Sequence, residues 1–169
     1  MTETVGPEVL HPWAIYMRAS EEARRRGDRR TGTDHLLLSL LEEPSVERVL
    51  GVNLQQARQA VESLDHEALG ALGMASGADV PALAMKAVPN RPTIRDVMKR
   101  DRLRMTPAAK KVLEESVKPQ RRKTQVTAQQ VLAQILALQP PDPAAVLLDA
   151  LNVNTSEVRR RLDGVPPVT

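Results

Sequence analysis

The two ends of this chain can be laid over one another, and that internal repeat restricts the fold more than any other feature of the sequence. Ile15, Tyr16 and Ala19 match Val112, Leu113 and Ser116 at an offset of 97 residues. The apolar row Leu36, Leu37, Leu40 and Leu41 matches Val131, Leu132, Ile135 and Leu136 at 95, and Gly51-Val52-Asn53 matches Asn152-Val153-Asn154 at 101. The offsets drift by a few residues, so the copies differ in loop length.

Each copy reads as four helices. The first starts near His11-Pro12 and ends at Gly27; in the second copy it starts at Thr106-Pro107, where Thr106 caps and Pro107 fills a first-turn position with no hydrogen bond to lose. The second helix starts at Thr33, with Asp34 in the electropositive first turn, and at Thr127 or Ala128. Its apolar residues recur at three-and-four spacing and require burial. Short third helices fall near 45 to 50 and 143 to 150, and fourth helices follow the capping residues Asn53 and Asn154. The composition agrees: 21 Leu, 20 Ala and 18 Val against 3 Ile suit helix packing and disfavour an all-β sandwich. The expected fold is all-α, two pseudo-twofold-related four-helix repeats over residues 9–64 and 105–163. A long linker joins them at 65–104, with tails at 1–8 and 164–169. Gly70, Gly73 and Gly77 with Pro81, Pro89 and Pro92 break the linker, leaving room for short helical turns near 80 to 88 and 93 to 100.

Composition also removes function classes. There is no Cys, which excludes a cysteine nucleophile, disulfides and thiolate metal sites and fits a reducing cytosol. Trp13 and Tyr16 are the sole aromatics, too few for a base-stacking platform. No apolar run reaches membrane-spanning length, and MTETVGPEVLHPW has no signal-peptide pattern, so a cytoplasmic protein without membrane partners is expected. No G-x-x-x-x-G-K-[ST] loop is present to cradle a nucleotide. His11, His35 and His66 are dispersed without metal-ligand spacing, so neither a metal nor another cofactor is expected. Asp34, His35 and Ser39 have the residue types of a hydrolytic triad. A serine inside a buried apolar helix offers neither an exposed nucleophile nor an oxyanion hole, so no enzyme activity is expected and His35 reads as a packed or capping residue. The net charge is +3, but Lys86–Met105 alone carries +5. With Arg24-Arg25-Arg26, Arg121-Arg122-Lys123 and Arg159-Arg160-Arg161, that segment opens an alternative, a nucleic-acid-binding regulator using the basic linker; cations at helix C-termini also stabilise helices without any partner.

Gly32-Thr33-Asp34-His35-Leu36-Leu37-Leu38 follows the pattern G-T-E-H-[IL]-L-L with Asp34 in place of the Glu, and Thr106-Pro107-Ala108-Ala109-Lys110-Lys111-Val112-Leu113-Glu114 fits T-P-x-A-K-K-V-L-E. Together with the repeat, these motifs make residues 8 to 64 and 105 to 163 resemble the Clp N-terminal domain, the double Clp repeat that precedes the ATPase rings of ClpA- and ClpC-like unfoldases. The resemblance implies a protein-binding module of the Clp chaperone-protease system, free-standing here and acting as adaptor, decoy or regulator. Its partners would be Clp unfoldase or protease subunits, adaptors or substrate proteins. In ClpC-like members it also implies phosphoarginine recognition, with the motif's Glu pairing the guanidinium and the helix N-terminus receiving the phosphate. By position, these ligand-binding residues become Thr33 and Asp34 in the first copy and Ala128 and Gln129 in the second. Asp34 keeps the charge on a shorter side chain, whereas Gln129 loses it.

Overall fold

The computed structural model describes residues 9–71, 73, 103–117 and 125–164. In these, four helices fall within 9–71 and four within 103–164. The first set is α1 (Pro12–Arg26), α2 (Thr33–Leu40), α3 (Pro44–Leu50) and α4 (Leu54–Ala71). The second is α5 (Pro107–Val117), α6 (Ala128–Ile135), α7 (Pro143–Ala150) and α8 (Thr155–Leu162). The sequence therefore places the helix order and most helix ends correctly. One boundary moves: α4 continues to Ala71, seven residues into the stretch assigned to the linker, because 65–69 still holds helix formers and no glycine precedes Gly70. The helical turns expected near 80 to 88 and 93 to 100, and the tail at 1–8, lie outside the described residues.

The helix ends follow from their capping residues. His11 accepts from the Trp13 amide, and Gly27 closes α1 at φ 80°. Asn53 and Asn154 each accept from the amide three residues on, at 2.9 and 3.0 Å. Thr106 accepts from Ala109 at 3.2 Å and Asp142 from Ala144 at 3.0 Å. The matched turns Gly51-Val52-Asn53 and Asn152-Val153-Asn154 share a left-handed residue at the same place, Gly51 at φ 72° and Asn152 at φ 55°. Glycine and asparagine are the residue types that adopt this conformation at least cost, so the two copies solve one geometric requirement in two ways.

Among the described residues, four two-residue strands bind the copies together: β1 (Val9–Leu10), β2 (Arg30–Thr31), β3 (Arg104–Met105) and β4 (Val126–Thr127). The segment before each copy's first helix pairs with the segment before the other copy's second helix, β1 with β4 and β3 with β2. That reciprocity is the pseudo-twofold relation expressed in hydrogen bonds. It is imperfect, since β1 and β4 run antiparallel while β2 and β3 run parallel.

At the centre lie α2 and α6, packed on each other; α2 also meets α1, α4, α5 and α7. Leu36, Leu37, Leu38 and Leu40 are buried, as are Val131, Leu132 and Ile135. The aligned first-helix residues Ile15, Tyr16 and Ala19, and Val112, Leu113 and Ser116, are all buried too. Among the described residues, no helix is long and apolar enough to cross a membrane.

Candidate functional site

Burial singles out one position on α2: every residue of this helix except Asp34 is buried. The helix N-terminus opens onto a cleft of about 780 Å³ that both copies build. Val61, Leu64 and Ala68 of α4 and Val146 and Leu147 of α7 supply apolar wall. Arg29 and Arg30 of the α1–α2 connection line it as well.

The cap of α2 differs from its counterpart. At α6, Thr127 accepts from the Gln130 amide at 3.2 Å while Gln130 Oε1 accepts from the Thr127 amide at 2.9 Å, a reciprocal capping box. At α2 the cap residue is Gly32, which has no side chain to offer, and half of the box remains: the Gly32 amide donates to His35 Nδ1 at 2.9 Å. Nδ1 is therefore an acceptor, and the ring proton sits on Nε2, which donates to Asp28 Oδ2 at 2.9 Å. His35 is a capping residue, as its position suggests. A Cβ built on Gly32 would overlap Oδ1 of Asp34, so the absence of a side chain at 32 is what lets the Asp34 carboxylate fold back over the helix start.

That carboxylate already holds a guanidinium. Arg26 Nη1 donates to Asp34 Oδ2 at 2.7 Å, and Arg26 Nη2 donates to Asp65 Oδ2 at 2.9 Å. The Arg26 Nε lies 3.5 Å from Asp28 Oδ2. Burial alone would lower the Arg26 pKa; the Asp34 hydrogen bond and the charges of Asp28, Asp34 and Asp65 outweigh it and raise the pKa above its ordinary value. The side chains of Arg26 and Asp34 are 21% and 13% exposed, against 58% for Asp65.

The other expected ligand residues are placed as follows. Thr33 is buried, and its hydroxyl donates to Asp142 Oδ1 at 2.6 Å, tying the start of α2 to the start of α7 across the two copies. Ala128 is buried and Gln129 half-buried at the start of α6, away from the cleft lining. Asp34 is thus the one of the four that lines the cleft. In the sequence, Arg26 stands out only as part of a basic run at a helix end. The available signal was the short connection from Gly27 to Gly32, which must bring the end of α1 beside the start of α2.

Ser39 is buried, with its hydroxyl donating to the Leu36 carbonyl at 2.8 Å, so it is placed as a helix residue and not as a nucleophile. Among the basic runs, Arg159 donates to the Leu136 carbonyl at the end of α6, Arg161 donates to the Val49 carbonyl at the end of α3, and Arg160 pairs with Glu157. Arg121-Arg122-Lys123 and most of the basic linker lie outside the described residues. A second concavity, between α1 and α5, is apolar; Trp13, 45% exposed, and Tyr16 line it with their rings 5.1 Å apart.

No curated protein matches this chain. The family described as the Clp repeat (R) N-terminal domain matches residues 11–138, from the cap of α1 through the turn after α6. That span covers more than half of the chain and both second helices, and the chain belongs to the Clp repeat N-terminal domain family.

Proposed function

We propose that this chain is a non-enzymatic receptor for protein segments in the Clp chaperone-protease system, with the cleft at the start of α2 as its binding site. Membership of the family supports the general role, a protein-interaction module. The observation that carries the choice of site is the open cleft of about 780 Å³ joining apolar wall to the carboxylate of Asp34. An extended peptide gains from burying side chains on such a wall, while a charged group near Asp34 fixes its register. The partner is a substrate or adaptor protein in the cytoplasm, and arginine, above all phosphoarginine, is the side chain proposed for the Asp34 end. Thr33 supports that end through Asp142. The equivalent positions Ala128 and Gln129 are a weaker second site, since a neutral amide makes no charge-assisted pair with a guanidinium.

Fluorescence anisotropy with a labelled unstructured peptide, with and without one phosphoarginine, tests the reading. Binding that is lost in a folded Val146→Arg variant, which puts a charge on the apolar wall, is the expected result. Absence of peptide binding, together with DNA binding that falls steeply with salt, would replace this reading with a nucleic-acid role.

A further inference from the structure

The Asp34 carboxylate faces the cleft but is not vacant, and its occupant belongs to the chain itself. We infer that Arg26 is an internal competitor for the Asp34 end of the cleft, so that an arginine side chain from a partner enters only by displacing it. This inference rests on the proposed peptide-binding role and names what regulates that site.

Three observations support displacement over a fixed structural tie. First, Arg26 is the last residue of α1, directly before the left-handed Gly27, so its side chain can swing without moving the helix body. Secondly, two of its three acidic partners stand at the solvent side, Asp28 at 40% and Asp65 at 58% side-chain exposure, where ion pairs are weak and exchange readily. Thirdly, the contact that would be surrendered is the contact that an incoming guanidinium would make. Nη1 of Arg26 meets Asp34 Oδ2 at 2.7 Å, the geometry of a charge-assisted pair, so exchange of one guanidinium for another is nearly neutral in contact energy. A site closed by its own side chain binds with an apparent affinity reduced by the fraction of molecules in which it is open.

The test uses the full chain and two probes, ethylguanidinium and an N-acetylated arginine amide, titrated against wild type, Arg26→Ala, Arg26→Lys and Arg26→Ala/Asp34→Asn. Removing the competitor should tighten probe binding by at least about tenfold, the usual worth of one hydrogen bond to a charged group. Ethylguanidinium should also raise the melting temperature of Arg26→Ala while leaving that of the double variant unchanged. Arg26→Lys keeps a positive charge among the carboxylates but makes a single-point contact, so it keeps the fold if Arg26→Ala does not and should bind the probes with intermediate affinity. Equal affinities in wild type and both folded single variants would overturn the inference while leaving peptide binding by the cleft intact. A gain in Arg26→Ala that persists in the double variant would overturn it too, because the probe would then be bound elsewhere. If the gain appears but unstructured peptides bind none of the proteins, the competition stands and the peptide-binding role fails.

Discussion

Arg58→Met should be among the most destabilising single changes in the molecule. Glu22 of α1 is a buried carboxylate with 6% side-chain exposure, and Arg58 of α4 grips it with both Nε, at 3.2 Å, and Nη2. Removing the guanidinium strands a charge that water cannot easily reach, and breaking such a pair from one side typically costs about 3 to 5 kcal/mol. Two features lower that figure. Arg58 is 17% exposed, so some solvent enters when it is shortened, and Arg25 Nε remains 3.9 Å from Glu22. A loss of ~2 to 4 kcal/mol is therefore expected. The double variant Glu22→Leu/Arg58→Met removes both charges and puts apolar volume in their place, so it should lie within about 1 kcal/mol of wild type. Urea unfolding of wild type, Arg58→Met, Glu22→Leu and the double variant, with equal m values as the condition for comparison, measures the coupling. A cost below about 1 kcal/mol for Arg58→Met, or a double variant equal to the sum of the singles, would refute the claim that this pair clamps α1 to α4.

The remaining predictions address the core, the cap and the pH response. Leu37→Ala, at a fully buried position of α2, should cost about 2 to 5 kcal/mol in the same urea assay. Gly32→Ala should cost about 1.5 to 3 kcal/mol, because the new methyl expels the Asp34 carboxylate from its pair with Arg26; in an Asp34→Ala background most of that cost should vanish. The Glu42 pKa is raised above its ordinary 4.5, chiefly by burial, with Glu22 adding to it and Arg18 opposing. A raised carboxyl pKa means that the folded state holds the proton more tightly, so this group's contribution to stability falls as pH rises from below the ordinary value through the folded one. Relative to wild type, Glu42→Gln should be more favourable at pH 7 than at pH 4, and an unchanged difference at the two values would count against the assignment.

The fold was largely legible because its two controlling signals are local. Proline after a capping residue, as at His11-Pro12 and Thr106-Pro107, marks a helix start whatever surrounds it, and both starts fall where the sequence puts them. The apolar rows Leu36 to Leu41 and Val131 to Leu136 report burial by period alone, and duplication confirmed each assignment with a second sample. The end of α4 was less legible, since residues 65–71 lose core-facing periodicity before they lose helix propensity. Strand exchange was invisible: two-residue pairings such as β2 with β3 leave no alternation to read, and they depend on how the finished copies dock.

The start of α2 was legible as a helix end and illegible as a chemical state, and the reason lies in two residues at which the two copies differ. Where the second copy has Thr127, its hydroxyl closes the start of α6, and the next side chains, Ala128 and Gln129, have no charge to place there. Where the first copy has Gly32, no hydroxyl closes α2, and the missing Cβ leaves space that the Asp34 carboxylate takes. A carboxylate drawn in that far needs a cation beside it, because a half-buried charge without a partner is costly. The length of α1 settles which one. Glu22 and Arg26 are one turn apart on the same face of that helix, so fastening Glu22 to Arg58 of α4 also turns Arg26 towards Asp65 of α4 and Asp34 of α2. Arg24, Arg25 and Arg26 look alike as a string of charges; helical rotation sets the third apart and places it on the carboxylate that the glycine admits. The cap substitution and the internal guanidinium are therefore one device, and a change at either Gly32 or Arg26 should be felt at the other.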